Sequence, residues 1–368
     1  MATTMSASAR PSAVSLNPDV TAINAKRRTL AVILMAVIAM VFWVDSRYPA
    51  LMKRYHAGTQ VKAAGSLTFG TVYAVDRSMP LSTRVWRTTV NWLDANRVGM
   101  TFGFLFGPAA FAFLATLRRR RTNARWLNTL IGAAAGVPLG VCSNCVAPIA
   151  RGLFASGMSD ELVLATMFAS PTLNLVVLSM SFALFPASIA LLKLATVLLL
   201  IFVFAPLVVS RHQPEEAALP CPIDVTVSET WGQALRGTVQ SYLKSFWHVF
   251  RFAFPLMLLA AVLGALVVEL LPAQALAAQV TLGGIVLVAL VATFLPVPMA
   301  FDVVIAYVAM TRGVPLPYVV TILCTLGIIS VYSLIIVGKS LSWKAAAAAY
   351  ATVAALGAAA GMLARLLA

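Results

Sequence analysis

The sequence predicts an all-α polytopic membrane protein with about nine transmembrane helices and two broken or re-entrant helices in an inverted repeat. Composition gives the first indication: hydrophobic residues make up 61% of the chain and charged residues only 11%, whereas soluble domains carry about 25% charged residues. Apolar runs long enough to cross a hydrocarbon core of ~30 Å recur along most of the chain. A weak repeat is the third indication, because residues 142–180 can be laid over 298–336 with Gly157 on Gly313.

The net charge of +15 is interpreted as topological, since Lys and Arg concentrate in cytoplasmic loops and at helix ends. Nucleic-acid binding is disfavoured, because no basic domain interleaved with aromatic residues is present. The first apolar run follows Lys26, Arg27 and Arg28 and lacks a small-residue cleavage site. It is therefore predicted to be an uncleaved anchor helix.

Helices are predicted wherever an apolar run lies between polar or charged residues. The runs span 29–45, 98–117, 126–141, 146–156, 161–183, 186–208, 252–271, 278–295, 301–311, 317–338 and 345–367. Orientation follows from the arginines at 118–121 and 125, which we expect in the cytoplasm together with the N-terminus.

The chain is predicted to have five parts. They are a disordered cytoplasmic N-terminus (1–28), a first span with an external amphiphilic segment (29–97), a first permease half (98–210), a polar linker with an interfacial helix (211–250) and a second permease half (251–368).

The most informative motif is Cys142-Ser143-Asn144-Cys145, which interrupts an apolar stretch. A helix predicted to begin at 146 would direct its free N–H groups at this segment, an arrangement that attracts anions and favours thiolates. The motif is therefore predicted to bind substrate, and Cys142 and Cys145 are also candidate metal ligands. The alternative is that small residues allow close helix packing around inert buried thiols.

A second break is predicted at Ser170-Pro171-Thr172-Leu173-Asn174. Pro171 lies about ten residues, or ~15 Å, into its span, where it removes a helical hydrogen bond and clashes with the carbonyl of Met167. Ser170, Pro171, Thr172 and Asn174 are then assigned to the candidate substrate site. A tolerated proline kink is the alternative.

Charged residues in apolar runs form the third group of candidates, because a charge near the bilayer centre costs about 2.5 kcal/mol or more. Asp302 is the candidate for proton coupling. Arg151 is a candidate contact for an anionic group, a partner for Asp302, or a side chain that only snorkels.

These motifs resemble the YraQ/ArsP-type predicted permease family. The resemblance rests on the cysteine-bearing break, Pro-Ile-Ala-Arg-Gly-Leu at 148–153 and Ala-Ser-Pro-Thr-Leu-Asn at 169–174. The sequence departs from the family where Asn144 precedes the second cysteine and where Pro296-Val297-Pro298 replaces a glycine-rich segment. The resemblance implies a permease of the bacterial inner (cytoplasmic) membrane, and some relatives export trivalent organoarsenicals, which suits soft sulfur ligands.

The predicted function is alternating-access transport, in the direction of efflux, of a small soft or anionic solute such as a metalloid compound or metal species. No enzymatic activity, cofactor or nucleic acid is predicted; the partners are the lipid bilayer and a small-molecule or ion substrate, and a homo-oligomer is compatible with the sequence. Two alternatives remain open: a membrane thiol–disulfide oxidoreductase that uses Cys142 and Cys145, and a non-transporting subunit of a metal-handling complex.

Overall fold

The computed structural model describes residues 18–49, 52, 72–76, 78–114, 116, 124–209, 229–270 and 280–367. Every regular element in these ranges is a helix. The first half of the chain contains α1 (Pro18–Phe42), α2 (Leu81–Leu114), α3 (Arg125–Leu139), α4 (Ser143–Ala155), α5 (Asp160–Thr172), α6 (Leu175–Leu184), α7 (Ala187–Leu199) and α8 (Ala205–Val209). Two π-helical turns, Trp43–Arg47 and Leu200–Phe204, extend α1 and join α7 to α8.

The second half repeats this series. It contains α9 (Trp231–Leu270), α10 (Leu282–Phe294), α11 (Phe301–Thr311), α12 (Leu316–Leu323), α13 (Val331–Ser340) and α14 (Trp343–Leu367). Both Gly157 and Gly313 adopt the left-handed backbone conformation, with φ of 69° and 78°. Each ends the short helix before it, because a residue with a Cβ is strained in that conformation.

A single shift in residue number aligns the helices of the two halves. Gly157 and Gly313 are 156 positions apart (313 − 157), and the same shift places the start of α5 on that of α12, the start of α6 on that of α13, and the start of α7 on that of α14. It also places the last residue of α2, Leu114, on the last residue of α9, Leu270. The predicted repeat therefore extends well beyond the segments in which the sequence shows it.

The two long helices of the repeat, α2 and α9, pack against each other and run antiparallel. Near the start of α2, Trp92 donates from Nε1 to the Pro296 carbonyl at 2.7 Å, and Pro296 also packs on Gly264 near the end of α9. Twelve positions further along α2, the ring of Phe104 instead lies 5.4 Å from that of Phe250, earlier in α9. Repeated helices of opposite direction are the arrangement that an inverted repeat requires.

Short helices of each half also pack on helices of the other half. The short helix α4 of the first half packs on α13 of the second, and α11 of the second half packs on α6 of the first. Because α4 and α11 each pack on a helix of the other half, the core lies between the halves. Its largest hydrophobic cluster accordingly draws buried residues from both of them.

The described chain has the surface of a polytopic membrane protein. Five of its helices are long and apolar enough to cross a bilayer, and α5 with α6, bent by 44°, would make a sixth. The prediction of about nine spans differs from this count, because α10, α11 and α13 are apolar but shorter than a span. Large apolar side chains face outward, as lipid contact allows; on α1 they include Val32, Ile33, Val37, Met40 and Val41.

Several predicted bounds are wrong. The interfacial helix and the span after it are one 40-residue helix, α9, so the boundary predicted at 250 falls inside a helix. The predicted span 317–338 is two helices, α12 and α13, separated by a turn around Gly327. Helix α1 begins at Pro18, within the segment predicted to be disordered. The arginines at 118–121, which set the predicted orientation, lie outside the described residues, as does Cys221.

Candidate functional site

The Cys-Ser-Asn-Cys motif forms the first turn of α4, which begins three residues earlier than the sequence predicts. Cys142 is the N-cap residue, and its sulfur accepts a hydrogen bond from the backbone N–H of Cys145 at 3.2 Å. Cys142 and Cys145 are joined as a disulfide, so the motif is in its oxidised form. Pro148 consequently lies inside α4, beyond its first turn.

Glycines on α2 allow the disulfide turn to approach this helix closely. Gly99, Gly103 and Gly107 recur every four residues and so line one face of α2. A Cβ added at Gly99 would lie 2.8 Å from the Cys145 sulfur, and one added at Gly103 would lie 2.3 Å from the Cys145 carbonyl oxygen. The side-chain carbonyl oxygen of Asn96, one turn earlier, lies 3.5 Å from the Cys142 sulfur. This small-residue spacing is typical of tightly packed helices in membranes.

Asn144 links the motif to the second half of the chain. Its Oδ1 accepts a hydrogen bond from the Ser330 hydroxyl at 2.6 Å, and its Nδ2 donates to the Val297 carbonyl at 3.4 Å. Ser330 is the N-cap residue of α13 and forms a capping box with Ser333. Asn144 is fully buried, so this contact holds the start of α4 against the start of α13.

The Ser-Pro-Thr-Leu-Asn segment lies directly beside the disulfide turn. Ser170 donates to the Val141 carbonyl at 3.3 Å and accepts from the Val141 N–H at 3.2 Å. The helix breaks after Thr172, and Asn174 caps α6 by accepting from the Val177 N–H. Thr172 and Asn174 donate back to the carbonyls of Phe168 and Ser170.

The structure therefore brings the two predicted motifs together. Ser170 bonds to the backbone of Val141, the residue just before the disulfide turn, and the polar side chains of both motifs are buried. Pro171 lies within α5, one residue before its end at Thr172, and the hydroxyl and amide groups around it bond to the backbone on both sides of the break. In this structure the side chains of Thr172 and Asn174 form hydrogen bonds within the break itself. Either side chain can therefore contact a solute only when these hydrogen bonds are exchanged.

Asp302 forms a buried ion pair with Lys193. Lys193 is on α7 in the first half and Asp302 is in the first turn of α11 in the second half. The lysine side chain is 2% exposed and the aspartate 7%. Asp302 thus does not pair with Arg151, the partner considered from the sequence. Thr196, one turn after Lys193 on α7, lies within hydrogen-bonding reach of the buried Cys324 on the second half.

Arg151 contacts an aromatic ring and forms no salt bridge with any carboxylate that the structure describes. Its guanidinium carbon lies 4.7 Å from the centre of the Phe252 ring on α9. Its Nε is buried and has no hydrogen-bond partner in the described part of the chain. Arg151 is eight residues, or about 12 Å, along α4 from Ser143, so these two predicted contacts do not share one point.

The starts of four short helices converge where the halves meet. The start of α4 touches the cap of α13 through Asn144 and Ser330. A Cβ on Gly140, just before α4, would lie 3.9 Å from that of Asn174, the cap of α6. Val297, just before α11, contacts both Asn144 and the turn at Gly327.

This convergence has an electrostatic consequence. Helix N-termini carry free N–H groups and a partial positive charge, so they favour anions. Asp302 occupies the first turn of α11, whereas the hydroxyl of Ser143, at the start of α4, is buried and has no hydrogen-bond partner among the residues that the structure describes. Among the described residues, no group of three or more His, Cys, Asp or Glu could hold a metal ion; the metal role of Cys142 and Cys145 stays a prediction.

The sequence analysis missed Lys193, Ser330 and the glycines of α2. Lys193 lies in a long apolar run, and a charge in such a run is itself a signal. Ser330 could have been found by continuing the repeat, because it lies 156 positions after Asn174 (330 − 174) and caps the equivalent helix. The Gly-x-x-x-Gly spacing at 99–107 was visible as well.

Comparison with known proteins agrees with this architecture. The sequence model of the ArsP family, described as a predicted permease, matches residues 95–366, which include α3 to α13 and all but the last residue of α14. The UPF0718 protein YraQ of Escherichia coli strain K12 is 28% identical over 232 residues, an alignment covering 62% of this chain and 65% of YraQ. The chain thus aligns with slightly less than two thirds of this curated relative. No solved structure matches. The chain belongs to the ArsP family of predicted permeases, and it is a multi-pass membrane protein.

Proposed function

We propose that the protein is a secondary transporter that moves a small soft or anionic solute across the bacterial inner membrane by alternating access. The observation that carries the proposal is the meeting of helix N-termini from both halves beside the disulfide turn. A point where several helix N-termini meet favours a negative charge even when no cation is bound. Its position between inverted repeats is where secondary transporters hold their substrates.

The same residues serve as the proposed binding set. Ser143 and Asn144 offer a hydroxyl and an amide at the start of α4, and Ser170, Thr172 and Asn174 surround the break before α6. The sulfurs of Cys142 and Cys145 would contact a soft solute such as a metalloid compound once the disulfide is reduced. Efflux is the proposed direction.

The Lys193–Asp302 pair is proposed to couple transport to protons. Protonation of Asp302 would break an ion pair that joins the two halves, and that loss changes the relative stability of their two arrangements. A proton carried in this way links the solute site to the proton gradient, because both act on the contact between the halves.

Flux measurements on the purified protein in liposomes test this proposal. The solutes are phosphate, sulfate, arsenate, arsenite and a trivalent methyl arsenical, each with and without an imposed pH gradient. We expect one class to accumulate, and we expect Asp302→Asn to abolish the effect of the gradient. Unchanged flux in the Cys142→Ser/Cys145→Ser variant would remove the sulfurs from the mechanism, and absence of flux for every solute would contradict the proposal for these classes.

The disulfide favours one second candidate, a membrane thiol–disulfide oxidoreductase. In that reaction a dithiol substrate would give two electrons and two protons to the Cys142–Cys145 disulfide, and a quinone-type acceptor would reoxidise it. Thiol exchange between the purified protein and a reduced peptide, followed by reoxidation with a soluble quinone, distinguishes this activity from transport. A disulfide that stays inert to both reagents would rule it out.

A further inference from the structure

A second group of polar side chains lies further along α4, away from the helix N-termini. Arg151 on α4, Tyr332 on α13 and Phe252 on α9 come together where these three helices pack. Tyr332 is fully buried, yet among the described residues its hydroxyl has no hydrogen-bond partner, and neither has the buried Nε of Arg151. Buried polar groups are nearly always hydrogen-bonded, so two such donors within electrostatic reach of each other require an explanation.

Two arginines meet at the Phe252 ring. Arg251 places a second guanidinium carbon 5.9 Å from the centre of this ring, and the ring of His248 lies 5.5 Å from it. Within the described part of the chain, no Asp or Glu forms a salt bridge with Arg151 or Arg251. The two guanidinium groups that share this ring therefore have no anionic partner among the described residues.

The Phe252 ring stabilises the positive charge of Arg151 only in part and leaves its buried Nε–H donor without an acceptor among the described residues. An aromatic face attracts a guanidinium through its quadrupole, but it accepts little from N–H groups that point along the guanidinium plane. Those donors match the paired oxygens of a carboxylate or phosphate. The Tyr332 hydroxyl would supply one further donor to the same oxyanion.

We propose that Arg151, Arg251 and Tyr332 form a second oxyanion-binding site, about two helical turns of α4 beyond the disulfide turn. The ligand is a phosphate or carboxylate group, carried by a free solute or by the headgroup of an anionic lipid. Phe252, at 43% exposed, together with the exposed Arg251 and His248, leaves one side of the site open to the surroundings of the protein. Occupancy of this site does not depend on the proposed transport, because it is an equilibrium property of the folded chain.

The test measures binding without flux. Thermal stability and calorimetric binding of the full-length protein in detergent are recorded with sodium phosphate at constant ionic strength. The same stability is recorded in nanodiscs of phosphatidylcholine with and without phosphatidylglycerol. All measurements are repeated in the Asn144→Asp background, which places a negative charge at the helix N-termini and removes that site from the signal.

The variants are Arg151→Gln and Tyr332→Phe, with Arg236→Gln, an exposed arginine earlier on α9, as the matched control. We expect Arg151→Gln to weaken phosphate binding at least about tenfold, as loss of a charge-assisted hydrogen bond does, and the control to bind as wild type. We expect Tyr332→Phe to weaken it several-fold while the ligand-free melting temperature stays equal or rises, because the variant removes an unsatisfied buried hydroxyl.

Each result decides the matter. Phosphate stabilisation that both variants lose supports a free oxyanion, and phosphatidylglycerol stabilisation that both lose supports a lipid headgroup. If Arg151→Gln does not fold, Tyr332→Phe alone decides between these results. The site is overturned if neither anion stabilises the wild type, or if Tyr332→Phe binds as wild type does. Since no flux is measured, such a failure would leave the transport proposal standing.

Discussion

Replacement of Lys193 by methionine should destabilise the protein strongly. Methionine keeps most of the volume and the unbranched shape of lysine but removes the charge that faces Asp302. Because both side chains are almost fully buried, the aspartate would then be a buried charge without its partner. Breaking such a pair from one side costs about 3–5 kcal/mol. Asp302→Asn should cost a comparable amount, since it leaves Lys193 unpaired.

The double variant separates this reasoning from a simple packing effect. Lys193→Met/Asp302→Asn leaves only a neutral buried amide, whose unsatisfied burial costs about 1–3 kcal/mol, so it should be more stable than either single variant. Unfolding in detergent, followed by heat or by a denaturing detergent, measures all four proteins, and Lys344→Met, an exposed lysine on α14, is the control and should stay within about 0.5 kcal/mol of wild type. A double variant whose loss equals the sum of the two single losses would refute the buried ion pair.

Three further outcomes are expected. Gly103→Ala should lose about 1–3 kcal/mol of stability in a melting assay, because the added Cβ would overlap a backbone oxygen of α4. Gly232→Ala is the control: the added Cβ has open space around it, so this variant should be neutral or slightly stabilising in the same assay. Ser330→Ala should lose about 1–3 kcal/mol, because it removes both a helix cap and the donor to Asn144; a melting curve identical to wild type would contradict the cross-link. Denatured, unreduced protein should take up two fewer maleimide adducts than reduced protein in a gel-shift assay, since Cys142 and Cys145 form a disulfide, and equal numbers of adducts would mean that the pair is reduced.

The helical class and the repeat are predictable from the sequence because each rests on a local or periodic signal. Apolar runs bounded by charges identify spans, and Gly157 and Gly313 identify equivalent turns. The bounds are less predictable where an apolar run hides a break. Residues 324–330 contain no proline, yet the chain turns there through Gly327 at a φ of 80°.

The composition of the site is only partly predictable. Cys142, Asn144 and Ser170 were found because sulfur, amide and hydroxyl groups are unusual beside a proline in an apolar stretch. Their partners Ser330, Val297 and Val141 were not, since a contact such as that from Asn144 to Ser330 spans 186 positions and depends on how the halves pack. Asp302 was singled out by its charge, but its partner on α7 is set by tertiary packing alone.

The central claim is that the solute binds where the helix N-termini meet. Its most direct test is the flux of the transported anion through an Asn144→Asp variant in liposomes. Aspartate keeps an oxygen for the Ser330 hydroxyl, gives up the hydrogen bond from Nδ2 to the Val297 carbonyl and adds a negative charge at the start of α4; Gln233→Glu, which adds the same charge on an exposed part of α9, is the control. Two like charges about 4 Å apart repel by about 4 kcal/mol at an effective dielectric constant of 20, so flux should fall at least about a hundredfold in Asn144→Asp and stay unchanged in the control. Wild-type flux in Asn144→Asp would contradict the claim that the solute binds where the helix N-termini meet.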